Sequence, residues 1–306
     1  MLKPGNEIQV ALLTLALLTS LCLPGCKPAM DVPLQVNIQR AGLRSSSYGP
    51  QEPFPDSVYW VNTSKTMAHL FPPSAPTVVW IVGEIQFEGT SGIAGLNFPA
   101  PNGQAGAYPD IVFSEEDKNE AYLTQFDQKG VKVWLQVEPG DTDVLTQIDL
   151  ILGRYHSHPS VVGFGVDVEW YKWDENSSNE GTAVTDAEAQ AWSERVRSYN
   201  PDYQLFLKHW LVEKMPPTYR TGMMFLDDSQ EFSDLTSMVD DFKIWGEAFT
   251  PSPVGFQFGY EADQPWWSAL SNPPLEIGQE ILKNVPNTTD LYWVDFTMVQ
   301  IWPRTP

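Results

Sequence analysis

The chain is almost without cysteine: its 306 residues hold two, Cys22 and Cys26, both near the N-terminus. The remainder therefore has no disulfide framework, no thiolate metal site and no cysteine nucleophile. Basic residues are also scarce, 18 against 39 acidic, and the formal charge of −21 repels nucleic-acid phosphate and anionic lipid headgroups. Nucleic acid is excluded as a partner. There are only four histidines, and the His156–His158 pair precedes a strand with no carboxylate tied to it by a metal-binding motif. No glycine-rich phosphate loop and no G-x-S-x-G elbow occurs, so neither a metal nor another cofactor is expected.

What is present begins with an address. Lys3 precedes the apolar run Val10–Leu21, too short to span a membrane comfortably, and the run leads into LPGC at 23–26. Residues 1–26 resemble a bacterial lipoprotein signal, which implies export, lipid attachment at Cys26, and membrane contact through that anchor alone. Residues 27–57, rich in Ser, Pro, Gly and Gln, are expected to form a flexible tether without a stable core. The domain proper is then 58–306, expected to be a monomer, and its size together with 42% hydrophobic residues suits one large core.

From Val58 on, apolar runs of strand length alternate with longer polar stretches. Strands are expected at Thr77–Ile85, Val131–Pro139, Val161–Trp170, Tyr203–Trp210, Gly222–Asp228, Val254–Tyr260 and Trp293–Trp302, with Asp110–Ser114 completing eight. Helices are expected over Asp117–Gly130, which ends in a glycine C-cap, and over Thr185–Pro201, which opens with a Thr185/Glu188 capping box. A (β/α)8 TIM barrel is the simplest closure, and a doubly wound sheet is the alternative.

One strand carries an anomaly. VVGFGVDVEW at 161–170 places Asp167 and Glu169 in a run that otherwise reads as core. Side chains alternate across a strand, so Gly163, Gly165, Asp167 and Glu169 share a face that would point into the barrel, with Glu169 at the C-terminal mouth. Two carboxyls in a partly dry site repel, which keeps one protonated as a general acid.

The stretch VGFGVDVE at 162–169 resembles the fourth-strand signature D-G-x-D-x-D-x-E of family 18 glycoside hydrolases, matching at Gly163, Asp167 and Glu169. The family's first two aspartates fall on Val162 and Gly165, and Leu226 stands where its sixth strand carries tyrosine. The resemblance implies hydrolysis of β-linked N-acetylglucosamine glycans by a substrate-assisted retaining route. Glu169 would be the acid and base, and Asp167 would orient the acetamido group. It also implies Trp302 as the floor of the sugar pocket, with Tyr260 substituting for the missing tyrosine. Gln300, Glu138, Glu84 and Asp228, each at an expected strand end, and Trp170 beside the acid pair are further candidates for binding substrate. The alternatives are a muramidase resembling family 25 lysozymes and a catalytically silent barrel that captures glycans.

Overall fold

The computed structural model describes residues 38–46, 48–49, 53–88, 91–173 and 180–304. The strands are β1 (Arg40–Arg44), β2 (Ala75–Glu88), β3 (Ser91–Leu96), β4 (Ile111–Phe113), β5 (Lys132–Val137), β6 (Val161–Asp167), β7 (Gln204–Lys208), β8 (Met223–Asp227), β9 (Val254–Phe258) and β10 (Thr288–Val294). Between and after them run α1 (Ser57–His69), α2 (Glu120–Lys129), α3 (Val144–Tyr155), α4 (Asp186–Tyr199), α5 (Leu235–Phe249), α6 (Gln264–Trp267), α7 (Pro273–Asn284) and α8 (Asp295–Ile301). Eight strands close a parallel ring in the order β1-β2-β5-β6-β7-β8-β9-β10, and β10 returns to pair with β1. That closure is the expected (β/α)8 TIM barrel.

The staves are buried on both faces, which explains the nearly continuous apolar sequence of most of them. Outward residues such as Phe164, Val166, Leu205 and Phe225 pack beneath the helices. Inward, Val79, Trp134, Phe206, Met224, Leu226 and Tyr292 from five staves form a separate cluster that fills the barrel. Large residues there need small ones opposite: a Cβ on Gly163 would lie 2.4 Å from the Trp134 ring, and one on Gly165 would lie 2.0 Å from Phe206. The two glycines of the acid-bearing strand thus make room for the interior aromatics.

The expected helices are present. Thr185 and Glu188 form the reciprocal capping box at the start of α4, and α2 ends at Gly130 in the left-handed conformation, φ 68°. No helix among the described residues is long and apolar enough to cross a membrane.

Four expectations need correction. The segment assigned to a tether contains β1, the first stave, with Ala41 and Leu43 wholly buried. Its inward side chains are Arg40 and Arg44, so the strand lacks the apolar signature that marks the others. Asp110–Ser114 does form a strand, β4, but it pairs with β3 in a flap off the outer half of β2 and is not a stave. The run Trp293–Trp302 leaves the sheet after Val294 and coils into α8, because a short apolar run fits either periodicity. Finally, β6 ends at Asp167, and Glu169 lies in a 3-10 turn over Val168–Trp170. The signal region and Cys26 lie outside the described residues.

Candidate active site

Parallel staves bring all their C-terminal ends to one mouth, and seven of them deliver a polar side chain there. Arg44 ends β1, Glu138 follows β5, Asp167 ends β6 with Glu169 just beyond, Lys208 ends β7, Asp228 follows β8, Tyr260 lies beyond β9 and Asp295 follows β10. Arg44, Glu138, Glu169, Lys208, Asp228 and Tyr260 line a cavity of about 290 Å³, together with Tyr48, Trp170 and Glu261. Asp167 and Asp295 are wholly buried behind them.

Lys208 is the hub of the floor. Its Nζ stands 2.9 Å from Asp167 Oδ2 and also contacts Asp228 Oδ2. Gln136 Nε2 donates to the same Asp167 oxygen at 3.3 Å, while Asp167 Oδ1 has no hydrogen-bond partner. Burial opposes the charge on Lys208, but Asp167 and Asp228 outweigh it and hold the ammonium well above its ordinary value.

Arg44 is the second cation. Its guanidinium lies 3.9 Å from Glu138 Oε1 and 3.9 Å from Asp295 Oδ1, and 5.6 Å from the centre of the Phe296 ring. Glu138 Oε2 accepts from Tyr48 Oη at 2.6 Å and from the Ile85 N–H at 3.0 Å. Asp295 accepts from the Ser46 N–H at 2.6 Å.

Carboxyls outnumber cations, and burial penalises every charge, so Glu138, Asp167, Glu169 and Asp295 hold protons more tightly than usual. Burial first, then the charges on Asp167, Asp228 and Glu138, push Glu169 up to about 8 against the pull of Lys208. Asp167 is pushed up to about 7 and Asp295 to about 6, again mainly by burial. Near neutral pH, Glu169 is therefore a protonated acid facing a cavity, the state a proton donor needs.

Of the residues expected from sequence, Glu169, Glu138, Asp228, Tyr260 and Trp170 line this cavity. Trp170 extends it outward: Phe87, on the flap and half exposed, sits 6.4 Å from Trp170 and 4.9 Å from Trp173, ring centre to ring centre. Glu84 lines a neighbouring cavity with Trp80, Lys118 and Tyr122. Trp302 and Gln300 belong to α8 and its end. Trp302 packs against Trp293 and lines a groove beside Tyr59, and Gln300 accepts from Gln264 at 2.6 Å, so neither lines the cavity between the acids. His158 pairs with Asp127 at 2.6 Å. His209 is pinned by the Leu211 N–H at 2.9 Å and the Glu180 carbonyl at 2.8 Å; burial lowers it to about 4.

Sequence reasoning missed Arg44, Tyr48, Lys208 and Glu261. Lys208 could have been found, since it ends an apolar strand as Asp167 does. Arg44 could not, because its strand was not recognised.

No family model matches the chain, and no curated protein matches it in sequence, so the family 18 resemblance rests on the quoted residues alone. Among solved structures, 91% of the chain superposes on 92% of a proposed α-L-fucosidase from Bacteroides thetaiotaomicron, with TM-score 0.55 and 10% identity. A β-D-glucuronidase of Dictyoglomus thermophilum aligns with 84% of the chain and 43% of its own length, TM-score 0.47, 12% identity. Endo-glycoceramidase II from Rhodococcus sp. aligns with 84% of the chain and 73% of its own, TM-score 0.45, 10% identity. At 10% identity the first of these likenesses is one of fold, and it agrees with the closed ring of eight parallel strands in making this chain a (β/α)8 barrel.

Proposed function

We propose that the chain is a glycoside hydrolase with Glu169 as general acid and base. The observation that carries this is the placement of Glu169 on a turn at the C-terminal mouth of the barrel, facing the cavity and held protonated up to a pH of about 8. Glu169 gives its proton to the glycosidic oxygen as the bond to the anomeric carbon breaks. The leaving sugar departs as an alcohol, and the carboxylate left behind then deprotonates the incoming water.

The finer reading follows the resemblance: the substrate is a β-linked N-acetylglucosamine glycan whose own acetamido oxygen attacks the anomeric carbon, with Asp167 orienting that group. The spacing of Asp167 and Glu169 and the free Oδ1 of Asp167 support it. A second reading is favoured by Asp228, which lines the cavity where Asp167 does not. There the wall carboxylate, gripped by Lys208, serves as the second carboxyl and no acetamido group is required. In either case the chain is exported and anchored through Cys26.

The test is hydrolysis of chitooligosaccharides, high-mannose glycopeptide, peptidoglycan and aryl glycosides without an acetamido group, with Glu169→Gln as control. Cleavage restricted to acetamido sugars and lost in the control supports the first reading; cleavage of the others supports the second. Glycan binding without any turnover replaces both with a silent capture protein.

A further inference from the structure

The geometry points to Arg44, Glu138 and Asp228 as a clamp for the ring hydroxyls of an uncharged sugar, one that disfavours the corresponding uronic acid. This rests on the glycan reading of the same cavity and names the substrate class within it.

Arg44 Nη2 and Glu138 Oε1 face each other across 3.9 Å, too far for a direct hydrogen bond. Both side chains are more than nine-tenths buried and both line the cavity. Neither is fully satisfied by hydrogen bonds: Arg44 Nε and Nη1 and Glu138 Oε1 lack partners, as does Asp228 Oδ1 in the same cavity. Leaving such atoms unpaired is costly, so the site gains most from a ligand that supplies what they lack.

A sugar hydroxyl does so for the two carboxyl oxygens. An oxygen about 2.8 Å from both Arg44 Nη2 and Glu138 Oε1 fits across a 3.9 Å gap, accepting from the guanidinium and donating to the carboxyl. A second hydroxyl can donate to Asp228. A carboxylate accepts from Arg44 but has no proton for Glu138 or Asp228. It would also enter a wall where, even with Glu169 protonated, the carboxyls Glu138, Asp228 and Glu261 outnumber the cations Arg44 and Lys208 by three to two. Like charge without compensating donors is how a site rejects an analogue of the right shape.

The experiment measures affinity without requiring turnover. Binding to the purified chain is measured by ligand-observed NMR and calorimetry at pH 8. The probes are methyl glycosides of glucose, galactose, mannose and N-acetylglucosamine, together with the matched methyl glucuronide and galacturonide. The expected result is that a neutral glycoside with a matched uronide binds at least about tenfold more tightly than that uronide. Glu138→Gln is expected to weaken the neutral ligand and to narrow that ratio, because the amide keeps the shape and removes the repulsion. Asp228→Asn, read on the same ratio, serves if the first variant does not fold. A uronide that binds as well as its neutral counterpart, no binding by any probe, or an unaltered ratio in the folded variants would each overturn the clamp. Neutral preference in a protein that cleaves nothing leaves the clamp standing and removes the hydrolase reading. Cleavage with no such preference does the reverse.

Discussion

Lys208 Nζ lies 2.9 Å from Asp167 Oδ2, with the two side chains 2% and 0% exposed. The lysine reaches Asp228 as well, so one ammonium ties the ends of β6 and β8 through β7. Asp167 is thereby committed to the barrel floor, whereas Glu169, two residues on, is left to face the cavity. The lysine also acts on Glu169 at a distance, pulling its proton affinity down while burial and the surrounding acids push it up.

Replacing Lys208 by methionine should therefore be severe. The substitution keeps much of the side-chain volume but leaves Asp167 buried without its cation, and breaking a buried pair in this way costs about 3–5 kcal/mol. Urea unfolding should show a markedly lower midpoint. If Asp167→Asn is added, most of the loss should return, since the neutral amide needs no cation. A midpoint unmoved by the single substitution would mean that the pair does not hold the floor together.

Catalysis should depend on Glu169 in both amount and pH. The working form is protonated, so kcat/KM should fall as pH rises through about 8, the value to which burial pushes this carboxyl. Glu169→Gln cannot donate and should lower the rate by about 10² to 10⁴. A rate profile on the best substrate, together with the variant's residual rate, checks both. An activity that climbs steadily to pH 10 would assign the acid to another group.

The division between what could be read in the sequence and what could not follows the barrel's two faces. Staves whose inner residues are apolar or small, such as β5 to β9, present long hydrophobic runs and were recognisable; so were α2 and α4, whose caps are local signals. Glu169 was recognisable because a charge at the end of such a run has no structural reason to be there. β1 was not, since its inward positions hold Arg40 and Arg44, whose partners Asp290, Glu138 and Asp295 are about 90 to 250 residues away in the chain. One of the cavity's two cations, Arg44, depends on that strand. Trp302 was misplaced for the opposite reason: FTMVQI is apolar enough for a strand, and only tertiary packing makes it α8.

Gly165 marks where this barrel departs from the family 18 pattern, which has aspartate there. Its Cβ position is 2.0 Å from the Phe206 ring, so aspartate would collide with the interior cluster and bury an unpaired carboxyl. Gly165→Asp should not create a working proton chain. It should destabilise the fold by more than the roughly 1–3 kcal/mol of ordinary overpacking, because desolvation adds to the clash. Pairing it with Phe206→Ala should recover part of the stability. A soluble, more active Gly165→Asp single variant would show that Phe206 yields space more easily than its packing suggests.

The raised proton affinity of Glu169 makes the residue a burden on stability as well as a tool for catalysis. The folded protein holds this proton up to a pH of about 8, against an ordinary value of 4.5, so across that window the folded state binds more protons than the unfolded one. Stability attributable to this group is therefore complete below about pH 4 and declines as pH rises toward 8, the reverse of a salt-bridged carboxylate. Glu169→Gln removes the dependence, because the amide has no charge to desolvate. The melting temperature of the variant should match that of the wild type near pH 4 and exceed it at pH 8. Each kcal/mol relieved should raise it by about 2–4 °C for a domain of this size or slightly smaller. Differential scanning fluorimetry across pH 4 to 9 reads the difference directly. A gap that stays flat or closes with rising pH would mean that Glu169 is well solvated, and with that the argument for it as the proton donor would be lost.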